Sequence, residues 1–178
     1  CWRYERAMRG RKREHYQWNM DIWGVEGVEA EVELLSAMVT LFKRIGLDSN
    51  DVGIKINSRK VLQQVLTNAG VTEEQFSPVC IIVDKMDKVP AEVIEKELAE
   101  LGLESSIIDT INNTLAIKSI EKLSEHLGNE SEAVSEISQL WDLAAEYGIV
   151  DWLELDASVV RGLAYYTGVV FEAFDRGG

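Results

Sequence analysis

The first fifteen residues contain a cluster of basic side chains that could bind phosphate. They hold six of the chain's 18 Lys and Arg residues against two acids, which is a net charge of +4. The remaining 163 residues carry 12 bases and 29 acids, which is a net charge of −17. Guanidinium groups form paired, charge-assisted hydrogen bonds to phosphate oxygens. The segregated positive charge therefore predicts a ligand that bears phosphate.

Arg3, Glu5 and the arginines of the following loop have an arrangement that fits a nucleotide triphosphate. Arg3 falls on a predicted strand and could hold an α-phosphate, whereas Arg11 and Arg13 fall in a loop that could close on the distal phosphates. Glu5 is two residues from Arg3, so both side chains point to the same face. Its carboxylate could accept a hydrogen bond from an adenine amine. The alternative is a solvated surface hairpin, since runs of charge are commonly solvated.

A second set of polar side chains follows the loop with the period of a β-strand. Gln17, Asn19 and Asp21 alternate with apolar residues, so they would share one face of a strand. Polar groups at that spacing on the floor of a sheet could bind a small polar substrate. The alternative is the exposed face of an edge strand, which has the same period.

A third candidate lies near the C-terminal end, where Arg161 precedes Tyr165 and Tyr166. Adjacent residues of a strand point to opposite faces, so at most one of the two tyrosines would face a given pocket. Arg161 could neutralise a phosphate, or could be a surface or paired arginine beside core aromatics. The sequence has no Gly-rich phosphate loop, no nucleophile motif and no metal-ligand spacing. We therefore expect chemistry by positioning and charge stabilisation, not by covalent catalysis.

These residues must be positioned by secondary structure, and the predicted strands and helices indicate an α+β fold with an antiparallel sheet. Period-two patterns predict strands over 1–5, 15–25, 52–56, 152–155 and 169–174. Period-3.6 patterns predict helices over 28–45, from a Ser58 cap to Gly70, and over 78–87, 91–101, 104–113, 119–127 and 131–147. The run 79–83 could equally be a buried strand. Pro78 and Pro90 each suit a first helical turn.

Composition divides the chain into a helical block between two β-rich pieces. Residues 73–154 carry 19 acids and five lysines, a net charge of −14, with no arginine. We predict boundaries that give domains over 1–72, 73–150 and 151–178. The 46% hydrophobic and 28% charged fractions are ordinary for a globular protein. The presence of only two cysteines indicates a reducing compartment. No apolar run has the length of a membrane span. The first and last residues suggest a piece of a longer protein.

Taken together, these segments resemble the histidyl-tRNA synthetase family of class II aminoacyl-tRNA synthetases. Residues 3–6 (Arg-Tyr-Glu-Arg), the loop over 10–14 (Gly-Arg-Lys-Arg-Glu) and 15–17 (His-Tyr-Gln) are similar to motif 2 of that family. Residues 161–167 are similar to its histidine signature, usually Arg-Gly-Leu-Asp-Tyr-Tyr, with Ala164 in place of Asp. The residues of this second signature are most like those of cyanobacterial and plant-organelle members.

The resemblance implies an ATP site at the N-terminal end of the chain. Arg3 matches the arginine that binds the α-phosphate and the amino-acid carboxylate, and Glu5 matches the glutamate that reads the adenine amine. Arg11 and Arg13 match loop positions near the ATP phosphates and the tRNA acceptor end. Gln17 matches a glutamine near the histidine carboxylate and the α-phosphate. ATP, accompanied by Mg²⁺, is the implied cofactor, and no protein-bound metal is expected.

The resemblance also implies a histidine site. Arg161 matches an arginine near the α-phosphate, Tyr165 and Tyr166 match substrate-pocket tyrosines, and Asp21 takes the place of an acidic residue, usually Glu, that contacts the substrate. The implied catalytic residues are Arg3, Arg161 and Gln17. The implied histidine-binding residues are Arg3, Gln17, Asp21, Arg161, Tyr165 and Tyr166. The central prediction is that Arg3 and Arg161 converge on one anion-sized space.

The implied function is the ATP-dependent activation of histidine and its transfer to tRNA(His) by a homodimer with no membrane contact. Residues 1–72 and 151–178 would belong to the catalytic core, and 73–150 to a helical insertion that meets the tRNA. We expect motif 1 before residue 1 and motif 3 after residue 178, so the 178 residues alone should be inactive. The expected compartment is the cytoplasm, or a plastid or mitochondrion in a plant or alga. The alternative is a catalytically inactive relative that senses histidine, nucleotide or RNA.

Overall fold

The computed structural model describes residues 1–4, 6, 12–83, 85, 89–159 and 167–177. These residues form seven α-helices, a 3₁₀ turn and three β-strands, so the α+β class is confirmed. The helices are α1 Glu29–Arg44, α2 Arg59–Asn68, α3 Glu73–Val83, α4 Ala91–Glu100, α5 Ser105–Leu115, α6 Ile120–Leu127 and α7 Glu132–Glu146. The strands are β1 Val52–Ser58, β2 Leu153–Leu155 and β3 Val169–Asp175, and the 3₁₀ turn is Val150–Trp152.

The three strands form a mixed sheet in the order β2-β1-β3. The predicted antiparallel pairing holds for β1 and β3, where Ile54 lies opposite Ala173. By contrast β1 and β2 are parallel, with Ile54 opposite Leu153. Parallel neighbours need a long crossover, and the helices from α2 to α7 supply it. The strands that precede and follow the helical block, β1 and β2, therefore lie side by side in the sheet.

Three clusters of buried apolar side chains hold the helices and the sheet together. The first joins α2 to α3, α4 and α5, with Leu98 and Ile111 fully buried. The second joins α1 and α7 to one face of the sheet, with Leu35 and Ile54 fully buried. The third lies between α2, α6 and α7. Since α2 and α7 each contribute to two clusters, they connect the sheet to the helical block. The domain boundaries at 72/73 and 150/151 stay predictions.

Most of the predicted helices are confirmed, and their ends have visible causes. The Ser58 hydroxyl accepts a hydrogen bond from the Lys60 amide at 3.2 Å, which caps α2 as predicted. Gly46, just after α1, has φ of +90°, the left-handed conformation that a glycine adopts at low cost. No described helix combines the length and apolar character needed to cross a membrane.

The start of α3 differs from the prediction. The helix begins at Glu73 and not at 78, so Pro78 lies inside it and not in its first turn. Thr72 and Gln75 explain the earlier start, because the Gln75 side chain accepts a hydrogen bond from the Thr72 amide at 3.2 Å. A threonine followed three residues later by glutamine is the sequence pattern of a capping box, and this bond is one of the two that the pattern provides. The ambiguous run 79–83 is helical.

The strands predicted over 1–5 and 15–25 are wrong for the described residues of those ranges. Trp2 and Glu14 form one isolated antiparallel bridge. The Arg3 amide donates to the Arg13 carbonyl at 2.8 Å, and the His15 amide donates to the Cys1 carbonyl at 3.0 Å. Beyond this short ladder the described chain from 16 to 27 is exposed except for a half-buried Met20, and it lacks the neighbouring strand that a sheet requires.

Candidate nucleotide and amino-acid site

The short N-terminal ladder brings together two side chains that the sequence singled out separately. Arg3 and Gln17 are 14 residues apart, yet the Arg3 Nη2 atom donates to Gln17 Oε1 at 3.3 Å. The backbone bonds on both sides of the Trp2–Glu14 bridge align the two segments and so allow this contact. A guanidinium and a carboxamide at this distance can bind neighbouring oxygens of one anionic ligand.

Gln17 continues into a row of polar side chains. Its Nε2 atom donates to Asn19 Oδ1 at 2.7 Å, and its Oε1 atom lies 3.4 Å from His15 Nε2. Residues 15, 17 and 19 therefore share one side of the chain, as the period predicted for 17 and 19. The contribution of His15 was missed, although it precedes Gln17 at the same two-residue spacing. Asp21 is exposed, and no described hydrogen bond joins it to this row.

Arg13 lines a cleft beside the same ladder. Its guanidinium lies 5.6 Å from the centroid of the Tyr4 ring, a cation–π distance that orients the group. The cleft has a volume of about 720 Å³, within the range of small-molecule sites. It is lined by Cys1, Lys12, Arg13, Glu14, His15 and Tyr16. Two cations and one carboxylate give it a net positive lining.

Five of the predicted site residues lie outside the described residues. They are Glu5, Arg11, Arg161, Tyr165 and Tyr166. The convergence of Arg3 with Arg161 therefore stays a prediction, as do the roles of the two tyrosines. The described residues contain no group of three or more His, Cys, Asp or Glu side chains that could hold a metal ion.

The residues that lead into the Arg161 segment are held by a buried carboxylate. Asp156 is paired with Lys55 Nζ at 3.1 Å and with Lys118 Nζ, and it accepts a bond from the Ser158 amide at 3.0 Å. Burial by itself raises the pKa of Asp156, but the hydrogen bonds from Lys118, Ser158 and Lys55 outweigh it. The pKa of Asp156 consequently lies below its ordinary value, and the carboxylate is charged at neutral pH.

A second polar network lies where the chain returns after that segment. The Arg59 amide donates to the Gly168 carbonyl at 3.0 Å. Beside it, the Ser58 hydroxyl donates to Glu136 Oε2 at 2.6 Å, and Lys60 pairs with Glu132 and Glu136 at 2.6 and 2.9 Å. Hydrogen bonds from Lys60 to Glu132 and then Glu136 raise the pKa of the lysine. The described residues on the two sides of the predicted histidine signature are therefore attached to β1 and the start of α2.

Comparison with known proteins decides the family. A family model described as histidyl-tRNA synthetase matches residues 1–178. The chain belongs to the histidyl-tRNA synthetase family. A relative named histidine–tRNA ligase, chloroplastic/mitochondrial, from Arabidopsis thaliana is 54% identical over all of this chain. A histidine–tRNA ligase from Opitutus terrae is 36% identical over 99% of it.

Solved structures share the fold. Histidyl-tRNA synthetase from Nostoc sp. PCC 7120 matches 83% of this chain and 36% of that chain, with a TM-score of 0.72 and 25% identity. A Bacillus halodurans protein, described as an ATP phosphoribosyltransferase regulatory subunit/histidyl-tRNA synthetase, matches 85% with a TM-score of 0.71, but at 21% identity it supports the fold alone. The chain spans 37% and 42% of the lengths of the Arabidopsis and Opitutus relatives.

Proposed function

We propose that this chain supplies part of the histidine-activating site of a histidine–tRNA ligase. The observation that supports this most directly is the 3.3 Å contact between Arg3 and Gln17, within a family whose members carry that name. The family resemblance assigns both groups to one ligand, although they lie 14 positions apart in the sequence. A solvated surface hairpin would not require them to meet.

The proposed reaction needs charge stabilisation at one phosphorus atom. A carboxylate oxygen of histidine attacks the α-phosphorus of ATP, the bond from that phosphorus to the oxygen shared with the β-phosphate breaks, and pyrophosphate leaves. Arg3 would stabilise the negative charge on the α-phosphoryl oxygens, with Arg161 as the proposed second cation. Gln17 would hold the attacking carboxylate. In the second step the terminal hydroxyl of tRNA attacks the acyl carbon and AMP leaves.

Several further residues are proposed as ligand contacts. Glu5 would read the adenine amine, and Arg11 and Arg13 would contact the distal phosphates. Asp21, Tyr165 and Tyr166 would contact histidine. Mg²⁺ is proposed only as the ion that accompanies the ATP phosphates. Among these proposed contacts, that of Arg13 is the best supported, because the cleft that Arg13 lines is basic and has a volume that suits a nucleotide.

The proposed tRNA contact of the helical block is limited in extent. Three of its lysines are already paired with carboxylates, in the pairs Lys85–Glu97, Lys96–Glu100 and Lys118–Asp156. Phosphate contact favours unpaired Lys and Arg, and the block has a net charge of −14. We propose that the basic N-terminal loop makes the stronger contact with tRNA, and that the native protein is a homodimer.

We place the protein with the organellar members, because identity is 54% to the organellar Arabidopsis relative and 36% to the cytoplasmic one.

The test is histidine-dependent exchange of pyrophosphate into ATP by the native gene product that carries these 178 residues. Arg3→Ala should lower kcat/KM by at least about 100-fold, the usual loss when one charge-stabilising donor is removed. Arg44→Ala is the matched control, since Arg44 is an exposed arginine at the end of α1, and exchange should be unchanged. Histidine binding without any exchange in the unmodified protein would support the sensor alternative instead.

A further inference from the structure

Asn57 is a buried carboxamide in β1 that contacts the chain just before Arg161. Its side chain is almost fully buried, with 1% of its surface exposed. The Nδ2 atom donates to the Ala157 carbonyl at 2.9 Å and to the Val159 carbonyl at 3.1 Å. These two carbonyls flank Ser158, so one side chain restrains three consecutive residues. Val159 is two positions before Arg161.

The same end of β1 also holds the chain where it returns. In the β1–β3 register Asn57 lies opposite Val170, and Ser58 lies opposite Val169. The Arg59 amide donates to the Gly168 carbonyl at 3.0 Å. The chain therefore leaves this strand end at Val159 and comes back to it at Gly168.

The contact requires the chemistry of asparagine. A carboxamide nitrogen supplies two N–H donors, one for each carbonyl. Aspartate would put oxygen atoms against both carbonyls, and serine would supply one donor. The Asn57 Oδ1 atom is buried and has no donor among the described residues. An apolar side chain would avoid that unpaired oxygen but would leave two buried carbonyls unpaired, so the donated bonds account for the residue type.

We propose that Asn57 is a positioning residue for Arg161. Its two hydrogen bonds fix the backbone at Ala157 and Val159, just before Arg161, whose proposed role is to bind the α-phosphate. The inference rests on the proposed function of Arg161, because Asn57 itself touches no substrate in this scheme. A displacement of about 1 Å in a group that stabilises a transition state lowers the rate about 100-fold. Loss of the two hydrogen bonds should act on the rate and not mainly on substrate affinity.

The first experiment is Asn57→Asp in the native gene product, measured by histidine-dependent pyrophosphate exchange. We expect kcat to fall about 100-fold and the KM values for ATP and histidine to change by less than about threefold, the pattern of an interaction made in the transition state. Asn113→Asp is the matched control, since it makes the same change at an exposed position of α5. The control should keep full activity. An unchanged kcat in folded Asn57→Asp protein overturns the inference.

The second experiment separates positioning from a general structural effect. In an Arg161→Ala background, Asn57→Asp should lower kcat by less than about threefold further, because residues that act as a unit have non-additive effects. A full 100-fold further loss would overturn the inference, since damage unrelated to Arg161 multiplies. If Arg161→Ala alone leaves exchange intact, the proposed role of Arg161 fails first. Asn57→Ser, which keeps one donor, replaces Asn57→Asp in the same cycle if the aspartate variant does not fold.

Discussion

The N-terminal hairpin and the end of β1 differ in how far their side chains are buried. In the hairpin, which here means the described residues 1–4, 6 and 12–27, Tyr4, Tyr16 and Trp23 are almost fully exposed, and a few backbone hydrogen bonds align the two segments. At the end of β1, Asn57 and Ser58 are almost fully buried and hydrogen bonded to residues about 80 to 100 positions away. One region exposes its polar side chains, and the other restrains backbone.

From this difference we expect changes in the hairpin to affect folding stability less than changes at the end of β1. Groups on an exposed segment contribute little burial, so their removal should change binding and leave the free energy of unfolding nearly constant. Groups at the β1 end support the apolar cores beside them, so their removal should change both. Three measurements of unfolding test this division.

The largest effect is expected in the core between α1 and the sheet. Leu35→Ala removes a fully buried side chain of α1 and should lower the free energy of unfolding by about 2–5 kcal/mol, from lost burial and the cavity left behind. Leu41→Ala makes the same change at an exposed position of the same helix and should cost under about 1 kcal/mol. Urea unfolding measures both. Equal losses would contradict the position of the core.

An intermediate, pH-dependent effect is expected at Asp156. Its folded-state pKa lies below its unfolded value of about 3.9, so its stabilising contribution is complete above that value and is lost as pH falls through the folded pKa. Asp156→Asn should therefore lower the free energy of unfolding by about 1–2 kcal/mol at pH 7, the range for charged hydrogen bonds that are partly screened by solvent. The difference from the unmodified protein should shrink below pH 4.

The control for that measurement is Asp142→Asn, at an exposed position of α7. Its effect should stay within about 0.5 kcal/mol of zero at both pH 7 and pH 3. Urea unfolding at a series of pH values measures both variants. A difference between Asp156→Asn and the unmodified protein that grows as the pH falls would contradict a lowered pKa for Asp156 in the folded state.

The smallest effect is expected in the hairpin. Tyr16→Ala removes a fully exposed aromatic ring and should change the free energy of unfolding by less than about 0.5 kcal/mol. Arg3→Ala should be equally neutral for unfolding, although it should lower pyrophosphate exchange. A loss of more than about 1 kcal/mol for Tyr16→Ala would show that the hairpin is packed in the native protein, and the contrast between the two regions would then fail.

Local signals in the sequence predicted most of the helical fold. Apolar residues three and four positions apart indicate helices, and the Ser58 cap and Gly46 set helix ends through bonds made within a few residues. The α3 start was missed although its signal, Thr72 followed by Gln75, is also local. By contrast the alternation over 15–25 predicted a strand that the described residues lack. Alternation reports the direction of side chains, whereas a strand exists only with a hydrogen-bonded neighbour.

The candidate site follows the same division. Arg3, Gln17 and Asn19 were identifiable because their types and spacing lie within one short stretch, and the family resemblance assigned Arg3 and Gln17 to one ligand. Asn57 was not identifiable as a site residue, because its partners at Ala157 and Val159 lie about 100 positions away. No pattern within a window of the sequence reports such a pairing.

The amino-acid sequence alone indicated the family, the helical segments and the candidate basic groups, because these depend on residue type and on neighbours a few positions apart. The folded chain was needed to show that the sheet is mixed, that Asp156 is shared by two lysines, and that the described residues on both sides of the Arg161 segment are attached to the end of β1. Those features depend on which distant segments meet when the apolar faces of α1, α2 and α7 are buried. Because the hydrophobic effect is non-directional, the pattern of one segment does not identify the segment that covers it.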